Sequence, residues 1–505
     1  MKGSTWATAA SVGAGGVVLA LAFPRPELPL LAWVGLVPSL VAAVGGTPRA
    51  AFGWGWLGGT LFFLVLLRWL DYTFRQYSAI PWPLTWVPIT ALAAYCGAYP
   101  ALVCAALSWL RRRAGIGLAL AGAPAIWVVA EWTRGWLLGG FPWGLLGYSQ
   151  YRLLPTIQIA ELTGVYGVSF LVVAVNAALA GLQILPGPAG RRGLLAAALL
   201  VGGSLAFGLS RLSETAEPET VSVALVQPSI DQPLKWDRAR QTQTIETYLA
   251  LTKEAIAASV DLVVWPETAS PTVFRRDHEL QARLRGLVAA AGTSVLVGSV
   301  DVTDSAPARY TNSVFWFTNR GIEGRYDKMH LVPFGEYVPL SSVIGFVRSW
   351  AEFIAELEPG PGPVVFQGPP APFAVVICYE GIFPELVREL VRGGARLLVN
   401  MTNDAWFGQT SGPLQHLAMY PLRAVENRIA IGRAANTGVS AFISPTGQIE
   451  SEAGLYARRV LVDRLAVRNR ATVFTRFGDW FVGACVALAM TLGAWALAQR
   501  LGRAE

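Results

Sequence analysis

Runs of about 20 apolar residues, the length a helix needs to cross a bilayer, recur through the first 210 residues and return once near the end. They fall at roughly 5–23, 28–46, 51–70, 84–110, 116–138, 163–185, 193–210 and 478–499. Between the last two runs lies a stretch of ordinary polar composition, 211–475, long enough to bury a core of its own. The pattern predicts an α-helical transmembrane bundle of about eight spans: seven in 1–210, one globular domain at 211–475, and an eighth helix with a tail at 476–505. Charged residues make up only 14% of the chain, against about 25% in soluble domains. The first run follows Lys2 and is succeeded within a few residues by another, with no small-residue cleavage site before a polar segment, so it reads as an anchor.

The loops orient the bundle. Lys2, Arg49, Arg111, Arg112, Arg113, Arg191, Arg192, Arg500 and Arg503 fall on one side, and Arg25, Arg68, Arg75, Arg134 and Arg152 on the other. The excess marks the first side as cytoplasmic, so both termini are expected inside and 211–475 outside, on the periplasmic side of an inner membrane. The same short loops account for the net charge of +7, so no nucleic-acid partner is expected. The Gly- and aromatic-rich loop 139–151, on the outer side, reads either as an interfacial aromatic belt or as the wall of a lipid-access groove.

Within the polar segment, strands are expected at Val221–Val226, Leu262–Trp265, Ser294–Val300, Ser313–Thr318, Phe373–Ile377, Leu397–Asn400 and Ser440–Ser444. Helices are expected at 237–258, 277–291, 383–393 and 413–430. Nearly continuous apolar strands such as Phe-Ala-Val-Val-Ile indicate a sheet buried on both faces in a layered α/β structure. Ligands collect beyond the carboxyl ends of such strands, and Glu267, Cys378 and Asn403–Asp404 each follow one.

Cys378 is the one Cys of the polar segment, since Cys96, Cys104 and Cys485 lie in apolar runs; a domain disulfide is excluded. A thiol has a pKa near 8.5, so attack on an acyl carbon needs a base or a stabilising cation. Glu267, after Trp265-Pro266, can be the base. Lys328 can be the cation: 36 of 40 basic residues are Arg, and a retained Lys suggests a need for a compact point charge. The three His (278, 330, 416) are scattered and form no metal-ligand cluster, so neither metal nor cofactor is expected. Residues 340–357, apolar for a surface connection, read either as a core-packed helix or as a lid dipping into the bilayer interface.

Trp-Pro-Glu at 265–267, Tyr-Asp-Lys-Met-His-Leu-Val-Pro-Phe-Gly-Glu-Tyr-Val-Pro from Tyr326, and Ile-Cys-Tyr-Glu at 377–380 resemble, in order and spacing, the nitrilase superfamily. With seven spans before and one after, the whole chain resembles the bacterial apolipoprotein N-acyltransferases. The resemblance implies an αββα sandwich with Glu267 as general base, Lys328 as oxyanion stabiliser and Cys378 as nucleophile. It further implies supporting or substrate-binding roles for Trp236, Asn312, Glu336, Tyr379 and Glu380. The implied reaction moves an acyl chain from a phosphatidylethanolamine-like phospholipid, through a Cys thioester, to the N-terminal amine of a diacylglyceryl apolipoprotein. A membrane-tethered amidase using water would need the same triad but no bilayer. A transporter or scaffold would show paired ionisable residues in its spans, where Glu131 and Arg134 are almost the only ones.

Overall fold

Proline and buried polar side chains decide how the apolar runs fold. In the computed structural model, which describes residues 5–214, 219–235, 237–303, 307–338, 356–368, 370–467 and 470–501, the chain divides into two units. One comprises 1–71, 82–214 and 476–505; the other comprises 72–81 and 215–475. Among the described residues of the first unit, six helices are long and apolar enough to cross a membrane: Pro48–Leu66, Trp86–Ala114, Ile116–Arg134, Val165–Ile184, Pro188–Leu212 and Trp480–Gln499. The first two expected spans are shorter. Thr5–Ala20 has 16 residues, and 29–45 is broken into Pro29–Leu31, Ala32–Gly35 and Val37–Gly45. Pro38 lacks the N–H that would continue the ladder, and Asn176 repairs the break: its Oδ1 accepts from Leu36 N (2.9 Å) and its Nδ2 donates to Ala32 O (2.9 Å).

The loop 139–151 is not an exposed aromatic belt. Residues 142–151 are buried, stapled to the end of helix Ile116–Arg134. Arg134 donates to Phe141 O (2.6 Å) and Trp143 O (2.7 Å), and Glu131 accepts from Leu146 N (2.8 Å). The ionisable pair that could have signalled transport thus holds a loop.

The second unit contains two six-stranded sheets. Its strands are β1 (Thr220–Gln227), β2 (Leu262–Val264), β3 (Ser294–Val302), β4 (Tyr310–Thr318), β5 (Gly321–Asp327), β6 (Val365–Phe366), β7 (Phe373–Ile377), β8 (Leu397–Thr402), β9 (Ala430–Ala435), β10 (Ala441–Ile443), β11 (Ile449–Glu452) and β12 (Arg459–Ala466). The sheet orders are β12-β1-β2-β3-β4-β5 and β11-β10-β9-β8-β7-β6. Each has a parallel core, β1-β2-β3 and β7-β8-β9, flanked by antiparallel strands. On the outer face of the first sheet, Val263, Trp265, Val295 and Phe315 bury Tyr248, Leu249, Leu280 and Leu284 of helices Gln241–Ile256 and His278–Ala291. On the second, Val376, Leu398 and Ile431 bury Val387, Leu390 and Ala424 of Pro384–Arg392 and Tyr420–Asn427. The inner faces meet: Trp316 of β4 packs edge-on against Phe373 of β7, ring centroids 5.8 Å apart. This is the layered α/β structure expected from the nearly continuous apolar strands, in the αββα form that the resemblance implies.

The helix expected over 413–430 is two pieces, Gly412–Leu417 and Tyr420–Asn427. It ends at Arg428, whose left-handed φ of +49° turns the chain into β9. Residues 430–435, rich in Ala and carrying Arg433, form a central strand because that guanidinium is neutralised there by Asp404.

Candidate active site

Glu267 stands where β2 leaves the first sheet. Trp265, stacked on Tyr248 (4.6 Å) and donating to Thr252 Oγ1 (2.9 Å), anchors the exit, and Pro266 fixes the next φ. Thr268 then takes a left-handed φ of +46°. That turn lies so close to β3 that a Cβ at Gly298 would come within 2.4 Å of Pro266 O. The glycine is required by this approach. Lys235 closes the turn from another side, Nζ donating to Glu267 O (2.9 Å) and Thr268 Oγ1 (2.7 Å). It is 2% exposed, and burial pushes its pKa down to about 7, opposed by the charge of Glu267.

The Glu267 carboxylate, 6% exposed, accepts from Asn312 Nδ2 (2.7 Å) and Lys328 Nζ (3.3 Å) on Oε1, and from Asn403 N (2.8 Å) on Oε2. Lys328 follows β5, its backbone N–H pinned to Asn312 O (2.8 Å), and its Nζ donates to Glu336 Oε1 (2.8 Å). Burial alone would lower its pKa, but Glu336 and Glu267 hold it well above the usual ammonium range, so it is a permanent cation. Glu336 is in turn held by Val332 N (2.8 Å) and Asn312 Nδ2 (3.2 Å).

Cys378 follows β7 and takes a left-handed φ of +52°, which bends the chain out of the strand. Burial pushes the thiol pKa up; Glu267 adds to that and Lys328 opposes it. The resting group is therefore a neutral thiol close enough to both to feel their charges, and it needs a base to become a nucleophile. Its carbonyl accepts from Tyr420 Oη (3.0 Å). Glu380 ties this bend to the Lys328 loop: Oε2 accepts from Ile377 N (2.7 Å), and Oε1 from Tyr326 Oη (2.8 Å), Met329 N (2.6 Å) and His330 N (3.1 Å). Burial raises Glu380 to about 7. Its contacts make it a brace between two loops. Tyr379 stands against Phe383 and His330, ring centroids 5.1 Å and 5.9 Å away.

Glu267, Lys328, Cys378, Asn312, Glu336 and Glu380 are thus joined in one buried cluster at the carboxyl ends of the strands. Trp236 and residues 340–355 of the lid candidate lie outside the described residues. Lys235 was not anticipated, though it carries the same signal as Lys328, scarcity of lysine. Among the described residues, no group of three His, Cys, Asp or Glu could hold a metal ion.

The two facing sheets, and the carboxylate, ammonium and thiol they gather, place the second unit in the carbon–nitrogen hydrolase class, and residues 222–470 match the family described as carbon-nitrogen hydrolase. Residues 15–178 match the apolipoprotein N-acyltransferase N-terminal domain. Two similar proteins are the apolipoprotein N-acyltransferases of Geobacter metallireducens (40% identical over 96% of this chain and 94% of that one) and Methylococcus capsulatus (33%, over 94% and 93%). The chain belongs to the apolipoprotein N-acyltransferase family. Among solved structures, Nit3 of Saccharomyces cerevisiae, from branch 10 of the nitrilase superfamily, is similar at 22% identity, covering 50% of this chain and 93% of that one with a TM-score of 0.39.

Proposed function

We propose that this membrane enzyme moves an acyl chain from a phosphatidylethanolamine-like phospholipid to the α-amine of a diacylglyceryl apolipoprotein, with Glu267, Lys328 and Cys378 as its reacting groups. The observation that carries the reading is the buried contact of Glu267 with Lys328 beside a neutral thiol. In the first step Glu267 takes the Cys378 proton as sulfur attacks the ester carbonyl, and the oxyanion forms against the Lys328 ammonium. The C–O bond breaks, the proton passes from Glu267 to the departing alkoxide, and a lysophospholipid leaves a thioester. In the second step the neutral amine attacks the thioester, its proton goes to Glu267, and C–S cleavage yields the amide and, after reprotonation, the thiol. The order is downhill, since an amide is more stable than a thioester, and the kinetics are ping-pong.

Asn312 and Glu336 hold Glu267 and Lys328 in place, Glu380 braces the nucleophile's bend, and Trp236 and Tyr379 serve substrate. Sites on the periplasmic side, with both termini cytoplasmic, follow from the distribution of basic residues between loops. The water-dependent amidase is not favoured, because relatives matched over nearly the whole chain are named acyltransferases. Purified enzyme mixed with acyl-labelled phospholipid should carry label on Cys378 and release it to a diacylglyceryl peptide. Acyl transfer that survives Cys378→Ala refutes the proposal.

A further inference from the structure

The second unit is not one stretch of sequence. Residues 72–81, which join Pro48–Leu66 to Trp86–Ala114 in the chain, belong to it. Thr73 Oγ1 donates to Trp406 O (2.9 Å), Tyr77 Oη donates to Ala405 O (3.3 Å), and the Tyr77 ring meets Trp406 edge-on at 4.7 Å. Tyr72 lies over Gly408, where a Cβ would come within 2.5 Å of its ring. All four contacts fall on the turn Asp404–Phe407 and the glycine after it.

That turn touches both reacting ends of the site. Just before it, Asn403 N holds Glu267 Oε2. At its first residue, Asp404 Oδ1 faces His416 Nδ1 (3.0 Å), His416 Nε2 lies 3.3 Å from Tyr420 Oη, and that hydroxyl donates to Cys378 O. Burial alone would raise Asp404, yet Arg433 (2.8 Å) and His416 hold it well below the usual carboxylate range. Burial lowers His416, so the ring is neutral: its Nδ1–H donates to Asp404, Nε2 is left as an acceptor, and the single Tyr420 hydroxyl proton is shared between Cys378 O and that nitrogen. Every member of this chain is buried, and its last bond falls on the carbonyl of a residue kept in a left-handed conformation. A non-glycine residue stays there only when its surroundings hold it.

We propose that residues 72–81 are a positioning strap for the nucleophile: by fastening the 404–408 turn they set Asp404, His416 and Tyr420, and through them the Cys378 backbone. The proposal rests on the reading of Cys378 as the reacting thiol. Thr73 and Tyr77 are positioning residues; neither need touch substrate. The carbonyls that Thr73 and Tyr77 hold are 333 and 328 residues away along the chain.

The test uses the full-length protein in detergent and the rate at which iodoacetamide alkylates Cys378, with thiolate displacing iodide. Peptide mass spectrometry separates this residue from Cys96, Cys104 and Cys485. Thr73→Val with Tyr77→Phe removes two hydroxyls and keeps the rings, and Tyr77→Phe alone is the milder version. Each hydrogen bond lost corresponds to about three- to tenfold, so alkylation and kcat should fall by that factor with KM within about twofold. Tyr420→Phe should do the same, and in its background the strap substitutions should add less than about twofold, because both act on one chain. Alkylation at the wild-type rate in the strap variants, a rise in KM alone, or effects that multiply in the combined variant overturns the proposal. Alkylation needs no lipid, so this result stands apart from acyl transfer by Cys378→Ala, which would defeat the functional reading instead.

Discussion

Lys235→Met separates stability from activity, and the structure gives the pH trend of the first and the direction of the second. Desolvation lowers this lysine from about 10.5 to about 7. At roughly 1.4 kcal/mol per pKa unit, keeping it charged in the fold costs about 4–5 kcal/mol at pH values below 7. Between pH 7 and about 10.5 the unfolded chain holds this proton and the folded one does not, so wild-type stability rises with pH through that window. Methionine, with a similar volume and no charge, carries no such cost. It does lose the bonds to Glu267 O and Thr268 Oγ1, worth about 1–3 kcal/mol each and partly left unsatisfied. The variant should therefore lie between about 2 kcal/mol below and about 3 kcal/mol above wild type near pH 6. Relative to wild type it should lose ground progressively as pH rises above 7, and fall below it by pH 9.5. Thermal unfolding of both proteins in detergent, followed by tryptophan fluorescence across pH 6–9.5, reads the difference at about 2–4 °C per kcal/mol. Acyl transfer should drop at every pH, because the turn carrying Glu267 has lost its clamp. A difference in unfolding temperature that stays constant from pH 6 to 9.5 would refute the argument, since it would mean that Lys235 keeps its proton throughout.

Three further outcomes follow. Glu336→Gln removes one of the two carboxylates on Lys328 and sets an amide against Val332 N–H; a charge-assisted bond is worth about 1.5–3 kcal/mol, so kcat should fall on the order of 10- to 100-fold, read by steady-state transfer assays. Gly298→Ala forces β3 away from Pro266 and should cost about 1–3 kcal/mol with loss of transfer, whereas Gly286→Ala, inside an exposed helix face with open space at its Cβ, should raise stability by about 0.5–1 kcal/mol and leave transfer unchanged in the same unfolding and transfer assays. Tyr326→Phe takes one donor from Glu380 while leaving three backbone N–H groups, and should lower stability by about 1 kcal/mol in denaturant titrations.

Glu267 and Cys378 were legible because each follows a strand with an unmistakable apolar pattern, Leu-Val-Val before Trp265 and Phe-Ala-Val-Val-Ile before Cys378; Lys328, after the mixed strand Gly-Ile-Glu-Gly-Arg-Tyr-Asp, was legible by the scarcity of lysine. Glu336 and Glu380 came through the resemblance, and the structure adds what they bond to. Strands with mixed composition were not read. β12, Arg-Val-Leu-Val-Asp-Arg-Leu-Ala, carries Val462 and Arg464 in the open with Asp463 half-buried between them, and β9 hides Arg433 in an Ala-rich stretch that resembles a helix. Burying Arg433 depends on Asp404, 29 residues earlier, and no local window contains both. The broken helix at 29–45 likewise needed Asn176, which lies about 140 residues away.

The strap also bears on how the enzyme is made. At a synthesis rate of about 5–20 residues per second, Thr73 leaves the ribosome some 17–70 seconds before the carbonyl it binds, 333 residues later. Through that interval its two tyrosines have no turn to fasten. Strand β12, paired to β1, is made later still, so the first sheet of the second unit closes only once residue 466 has been made. A half-made chain would then carry membrane helices but no organised thiol, and acyl chemistry would begin only when the last strands arrive.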